Sequence, residues 1–501
     1  MKSYKSTIFF KSQRAFFNYL NKASQRRIKL ELKIKESIYK LLHYQATEDQ
    51  NQLIHALERF TLSKKNKPIL IINGHAGTGK TSLISIYVKT LSILHIQSRL
   101  LAPTGRAAKV FSSFSGKKAS TIHKLIYRHS SDDSGISAWK KQENKSYNTV
   151  FIVDEASMIS SKTAISGSGF TRRTLLEDLV DYVFEKKGNK LILVGDMAQL
   201  PPVGELDSQA LNPAYFKDLE DFPIAMISLK EVVRQQAESG VLTNATNVRN
   251  LIDESHPGFP ELRLKNQKDV ELINGNELHE YLETAFDTVG MESMIFITWS
   301  NKRANIFNQQ IRARILWYEE EINAGDHIMV VKNNYFWLED NFIANGDVLV
   351  VQSVRNIEER YDLNFADLSV YFIDDDDRNT FDVKVLLDVL TEEGPALHAE
   401  KSKLLFSQVE EDYMDIRSHS KRIKKVFNDP YFNALQIKFA YAVTAHKSQG
   451  GQWPYVFLEQ PYLREALPTI EDLRWLYTGI TRSSERLFFV NFAEQFFENQ
   501  V

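Results

Sequence analysis

The chain has no cysteine, no apolar run long enough to cross a bilayer and no marked excess of charge of either sign. Without cysteine there can be no disulfide, no cysteine-ligated iron–sulfur cluster and no cysteine-based zinc site, which fits a reducing compartment. The missing apolar run argues against a membrane helix. The basic N-terminus carries only the short cluster Ile8-Phe9-Phe10 and lacks the apolar stretch of a secretory signal. The expectation is a cytoplasmic protein with no membrane partner. A net charge of −2 withholds the global basicity that would announce a nucleic-acid partner. A local basic groove can coexist with an acidic remainder, so charge alone leaves the partner open.

At 501 residues, 43% hydrophobic and 25% charged, the composition is that of a globular protein too long for one core. Residues 1–45 form a basic extension rich in Lys and Arg. Over 46–226 strand-like apolar runs (Ile69–Ile72, Arg99–Ala102, Val150–Val153, Leu191–Val194) alternate with helical segments, the pattern of a parallel sheet covered on both faces. The polar stretch 128–148 interrupts this rhythm. A second α/β block spans 227–323 and resumes over 436–501, with strands at Met294–Thr298, Tyr455–Leu458 and Leu487–Phe492. Between its halves, 324–435 carries short β-type runs at His327–Lys332, Val348–Val354, Leu368–Ile373 and Phe381–Leu387. The Asn345-Gly346 pair and the acidic run Asp374–Asp377 supply turn signals there. A small β domain inserted in the second block is expected.

Chemistry enters with Gly74-His75-Ala76-Gly77-Thr78-Gly79-Lys80-Thr81, which fits G-x-x-x-x-G-K-[ST] at every fixed position and sits between an apolar strand and a helix. Such a loop turns successive backbone N–H groups into an anion nest at a helix N-terminus. Gly74, Gly77, Thr78, Gly79, Lys80, Thr81 and Ser82 are the candidate nucleotide-binding residues. Lys80 would reach the β- and γ-phosphates, and Thr81 would ligate Mg²⁺. The strand Phe151-Ile152-Val153 ends in Asp154-Glu155: Asp154 can hold the metal and Glu155 can polarise the attacking water. Gln199, at the end of another strand, can detect the γ-phosphate. Arg234 and Arg482, on the second block, could reach it across a cleft as arginine fingers do. These residues describe an NTP hydrolase.

The wider series resembles superfamily 1 helicases, specifically the 5′→3′ group of RecD-like and Dda-like DNA helicases. Leu101–Lys109 resembles motif Ia, Thr121–Leu125 motif Ib, Gly195–Gly204 motif III, Thr444–Gly450 motif V and Tyr477–Arg482 motif VI. Gly325–Met329, Lys332–Tyr335 and Asn345–Asp347 resemble the opening of that group's SH3-like insert. The resemblance implies an α/β fold of two RecA-like P-loop NTPase lobes with a small SH3-like β domain inserted in the second lobe. It implies ATP and Mg²⁺ as cofactors, with Gln50 reading adenine. It implies a monomer acting on single-stranded DNA and single-strand/duplex junctions, with Pro103, Thr104, His123, Asn301, His446 and Ser448 along the strand. Trp299 and Trp453 could stack on bases or belong to the core. The family's strand-separating pin falls in 128–148, where a well-formed hairpin is not legible. A DNA-stimulated translocase that remodels protein–DNA complexes without robust unwinding is the alternative.

Overall fold

The computed structural model describes residues 33–131, 137–166, 169–233, 239–254, 258–338 and 342–498. The run Ile69-Leu70-Ile71-Ile72 is wholly buried, and its alternation explains why. Leu70 and Ile72 pack with Leu83, Ile84 and Tyr87 on one face, while Ile69 and Ile71 pack with Leu176, Leu179 and Leu193 on the other. A strand buried on both sides has no polar face to spare, so it reads as a continuous apolar run. Each such side chain contributes roughly 1.5–3 kcal/mol on leaving water.

The first lobe is a six-stranded parallel sheet in the order Ile224–Leu229, Ile69–Gly74, Lys190–Gly195, Val150–Val153, Ser98–Ala102, Ala119–Thr121. The second is a five-stranded parallel sheet in the order Val270–Ile273, Ser483–Val490, Trp453–Glu459, Met294–Thr298, Ala442–Thr444. Here too the faces divide: Met294 and Phe296 join one core cluster, Ile295 and Ile297 another. That second cluster includes Ala198 and Leu200, so a first-lobe loop is packed into the core of the second lobe.

The insert is a closed barrel of five strands, His327–Val330, Val348–Arg360, Leu363–Phe372, Phe381–Leu386 and Leu435–Phe439. It joins the second lobe through a buried ion pair. Arg312, on the helix Asn301–Arg314, meets Asp326 through two contacts of 2.8 and 2.9 Å, and Tyr441 donates to the same carboxylate at 2.9 Å. The acidic run Asp374–Asp377 lies in the turn after Phe372.

Two features depart from the sequence expectation. The strand expected to stop near Val354 continues to Arg360, with register shifts after Val351 and Val354. The insert is also not purely β: helices Ala399–Glu411 and His419–Phe427 place Leu405, Val409 and Val426 against Leu363, Phe365 and Leu386. Those helices cover the far part of the long hairpin, which lets it extend beyond the barrel.

Two more hairpins leave the first lobe. Tyr127–Ser131 pairs antiparallel with Ser137–Lys141, within the stretch where no hairpin was legible, and its tip lies outside the described residues. Thr163–Ser166 pairs with Gly169–Thr174, which nothing in the sequence announced.

Candidate nucleotide and nucleic-acid sites

The loop after Ile69–Gly74, the strand next to the Ile224–Leu229 edge of the first sheet, leads into the helix Lys80–Ile93. Gly77 and Gly79 stand at φ 75° and 77°, the left-handed region that glycine enters without steric cost. Gly79 caps the helix without a side chain, and no acid lies in the first turn. The first-turn N–H groups and the positive end of the helix dipole are therefore left for an anion. Thr78 folds its hydroxyl onto the His75 carbonyl at 2.7 Å and so holds the loop curved. A Cβ on Gly74 would sit 2.7 Å from the Lys80 stem, which shows how closely that side chain crosses the strand end. The Lys80 ammonium donates to the Gly74 carbonyl and, at 3.0 Å, to that of His75. Thr81 is half-buried and Ser82 exposed in the same first turn.

Asp154 and Glu155 follow the strand Val150–Val153, separated from the P-loop strand by Lys190–Gly195. Asp154 is buried, and its Oδ1 accepts from the Glu155 amide at 3.0 Å. Burial, with the like charge of Glu155 next, pushes Asp154 up to about 7 against the pull of Lys80. A carboxylate so destabilised is suited to a divalent cation, which would remove both causes. Among the described residues no group of three His, Cys, Asp or Glu could hold a metal. The fit is therefore to Mg²⁺ carried largely by phosphate oxygens and water, with Thr81 and Asp154 as the protein's share. Glu155 adopts φ 52°, rare for a residue with a Cβ, at the sharp turn out of the strand.

Gln199 is buried, and its amide oxygen has no hydrogen-bond partner. Arg482 is buried and anchored from Nε to the Thr478 carbonyl (3.0 Å), from Nη1 to that of Gly451 (3.2 Å) and from Nη2 to the Thr481 hydroxyl (3.0 Å). Burial lowers its pKa, and the largest opposing influence is the charge of Glu155 in the other lobe. Arg234 lies outside the described residues. Gln50 stands directly behind the phosphate loop. It is fully buried; its Oε1 accepts from the Thr47 amide at 3.2 Å in the cap of its own helix, and its Nε2 donates to the Thr78 carbonyl at 2.9 Å and so braces the loop.

Known proteins resemble this chain over most of its length. A family model described as an AAA domain matches residues 45–257, and one described as a UvrD-like helicase C-terminal domain matches 439–490. The ATP-dependent DNA helicase dda of Enterobacteria phage T4 is 25% identical over 474 residues, covering 89% of this chain and 99% of that protein. The ATP-dependent RecD2 DNA helicase of Deinococcus radiodurans is 23% identical over 435 residues, covering 84% of this chain and 46% of its own length. The chain is similar along most of its length to the Dda- and RecD-like superfamily 1 helicases. A solved Pif1 helicase from Bacteroides, in complex with ADP-AlF3 and ssDNA, covers 91% of this chain and 94% of its own. At 15% identity and a TM-score of 0.45 that likeness is too loose to bear on the site.

The sequence also nominated a second set of residues, those expected along a nucleic-acid strand. The candidate residues lie beyond the carboxyl ends of strands in both sheets, where α/β folds bind ligands. Pro103 and Thr104 follow Ser98–Ala102, Asn301 follows Met294–Thr298, and His446 follows Ala442–Thr444. The Thr104 hydroxyl accepts from the Ala107 amide at 3.2 Å and so starts the helix Gly105–Ser115. His123 lies against Tyr127 and, across the domain boundary, Phe342 of the barrel, with ring centroids 5.8 and 6.5 Å apart. Burial lowers the pKa of His123 and of His446. Asn301 is half-buried at the start of its helix, which Ser300 caps. Ser448 is fully buried and donates to the Ala445 carbonyl at 2.8 Å, so it shapes the motif V turn from inside.

Four residues in or just past motifs Ia and V meet at this junction without a role assigned from the sequence: Gly450, Gly451, Arg106 and Lys447. Gly450 and Gly451 press against the start of the motif Ia helix: a Cβ on Gly450 would lie 3.0 Å from that of Ala107, and one on Gly451 2.9 Å from Arg106 Nε. Arg106 stacks on Trp453 at 3.9 Å, which takes that ring out of contention as a base platform. Trp299 likewise packs against Trp475, at 5.4 Å. Lys447, at the same junction, is pushed down to about 8 by burial and by the like charge of Lys438. Arg106 and Lys447 have no ion-pair partner among the described residues. The available signal was two cations embedded in segments already assigned to the strand.

Proposed function

We propose that this chain is an ATP-dependent DNA helicase that moves 5′→3′ on single-stranded DNA and unwinds duplex. The observation that carries the proposal is the division of one hydrolytic set between two lobes. Lys80, Thr81, Asp154, Glu155 and Gln199 stand on the first, and the second supplies Arg482, anchored and under the influence of Glu155. ATP entering the loop draws Lys80 from its carbonyl partners to the phosphates. Thr81 and Asp154 would hold Mg²⁺, which would offset phosphate charge. Glu155 takes the proton of the attacking water, Gln199 orients that water through its unpartnered oxygen, and Arg482 stabilises charge as the γ-phosphoryl departs.

Closure and reopening of the lobes shift the strand between the motif Ia side, with Pro103, Thr104 and Arg106, and the motif V side, with His446 and Lys447. The contacts proposed are to phosphates rather than base edges, so sequence preference should be weak. Lys447 suits this role because a phosphate supplies the counter-charge its position lacks. The pairing of Tyr127–Ser131 with Ser137–Lys141, in the lobe that carries motif Ia and in the stretch where the resemblance puts a strand-separating pin, supports duplex separation over translocation alone. Work as a monomer is part of the same proposal.

The test is steady-state ATPase activity with and without single-stranded DNA at low and high salt, beside a forked-duplex assay with 5′ or 3′ tails. Salt-sensitive stimulation with unwinding from a 5′ tail is expected. Activity indifferent to DNA would refute the motor, and stimulation without unwinding would leave only a translocase.

A further inference from the structure

Three hydrogen bonds tie the first-lobe segment Gly195–Gly204 to the second lobe. The Leu200 amide donates to the Thr478 hydroxyl at 2.9 Å, Gln449 Nε2 donates to the Leu200 carbonyl at 2.6 Å, and the Tyr477 hydroxyl donates to Asp196 Oδ2 at 2.7 Å. Tyr477 has one further partner: its oxygen accepts the P-loop amide of Ala76 at 2.8 Å. With Tyr477 buried, no solvent can replace it at either contact without parting the lobes. A single phenol of the second lobe thus holds both the phosphate loop and the strand end beside it.

Asp196 is fully buried. Its Oδ1 accepts from the Ala198 amide at 3.0 Å and lies 3.5 Å from His75 Nδ1, while Oδ2, the atom Tyr477 holds, lies 3.9 Å from the Lys80 ammonium. The phosphate-binding cation therefore stands at the edge of ion-pair distance from a carboxylate that the other lobe occupies.

We propose that Tyr477 is a positioning residue that governs the freedom of Lys80 by competing for Asp196. With the lobes together, the phenol satisfies Oδ2 and Lys80 is free to meet phosphate. With the lobes apart, Asp196 loses that donor and draws Lys80 into an ion pair, away from the nucleotide. Lobe closure and phosphate capture then become one event, because they contend for the same oxygen. This rests on the cleft being the site of ATP hydrolysis.

The experiment compares wild type, Tyr477→Phe, Asp196→Asn and the double variant by ATPase kinetics with an oligothymidine strand and by binding of a fluorescent, non-hydrolysable ATP analogue. Phenylalanine keeps the ring and removes only the hydroxyl. Tyr477→Phe should lower the DNA-stimulated kcat about ten- to hundredfold, the range for losing a hydrogen bond to a buried charge, and should weaken analogue binding. The double variant should recover most of both losses, since an amide at 196 cannot hold Lys80 by charge. A merely structural Tyr477 would leave the double variant as impaired as the single or more so, which would overturn the proposal. Wild-type kinetics in Tyr477→Phe would overturn it too. If wild type shows no DNA stimulation, the motor is refuted, and the competition for Lys80 is still decided by analogue binding in the four proteins.

Discussion

Replacing Glu155 with glutamine separates general-base chemistry from everything else this site does. The two side chains have the same length, and the new residue inherits the same left-handed backbone at φ 52°, so the strain of that turn is unchanged. What changes is a charge. Loss of the proton acceptor should lower kcat about 10²–10⁴-fold, or roughly 3–5 kcal/mol of barrier at 1.36 kcal/mol per decade. Glu155 is also the like charge that helps raise Asp154 to about 7, so its removal lets Asp154 ionise more readily. Nucleotide with Mg²⁺ should therefore bind as tightly as in wild type or more tightly while turnover stops. Single-turnover hydrolysis read against equilibrium binding of a fluorescent ATP separates the two effects. A fall of less than tenfold in the chemical step would remove Glu155 from the role of base. Weaker nucleotide binding would contradict the electrostatic account of Asp154.

Lys80→Ala should reduce hydrolysis more than about hundredfold, because the loop keeps its amides but loses its only side-chain cation, as steady-state ATPase would show. Lys447 is held near 8, and a bound phosphate must raise that value, so strand binding takes up a proton. Affinity should be flat below pH 8 and fall above it, by at most about tenfold per pH unit, and Lys447→Arg should abolish the dependence in fluorescence-anisotropy titrations. Arg106→Ala should weaken strand binding with a salt slope reduced by about 0.7 if the guanidinium meets one phosphate, and leave that slope unchanged if it serves only to stack on Trp453. Asp326→Asn leaves Arg312 buried without its counter-charge, and should cost about 3–5 kcal/mol, visible as an earlier transition in chemical denaturation.

The parallel sheets were legible because their strands carry a signal that burial on both faces imposes. Ile69–Ile72 and Met294–Thr298 are apolar throughout, and the structure begins both elements where the runs begin. The helices of the insert were not legible for the opposite reason. Ala399–Glu411 buries only Leu405 and Val409, and His419–Phe427 only Val426, too thin a stripe to register as a helical period. The hairpin Thr163–Thr174 is built from Ser, Thr, Gly and Arg with few apolar residues, so it lacks the alternation that marks a half-buried strand. Sequence spacing placed Lys80, Asp154, Glu155 and Gln199 at strand ends and could do no more. It could not tell a residue that faces a ligand from one that braces the loop behind it, and Gln50 and Ser448 are on the bracing side.

That distinction depends on contacts between segments hundreds of residues apart, which no local pattern carries. Tyr477 meets Ala76 across 401 positions, and Gln449 meets Leu200 across 249. Both bonds span the lobes, and both use side chains in the closing motifs to hold backbone or acid groups in the opening ones. A motor needs such bonds to be breakable, because hydrolysis must alter lobe contact to do work on the strand. Isolated pairs of this kind are each worth only about 1–3 kcal/mol, which is small enough for ATP binding to make and hydrolysis to undo. The apolar seat of Ala198 and Leu200 in the second lobe adds a contact that closes in the same step. The motif III loop is therefore the element whose two positions, seated and withdrawn, would distinguish the states of the cycle.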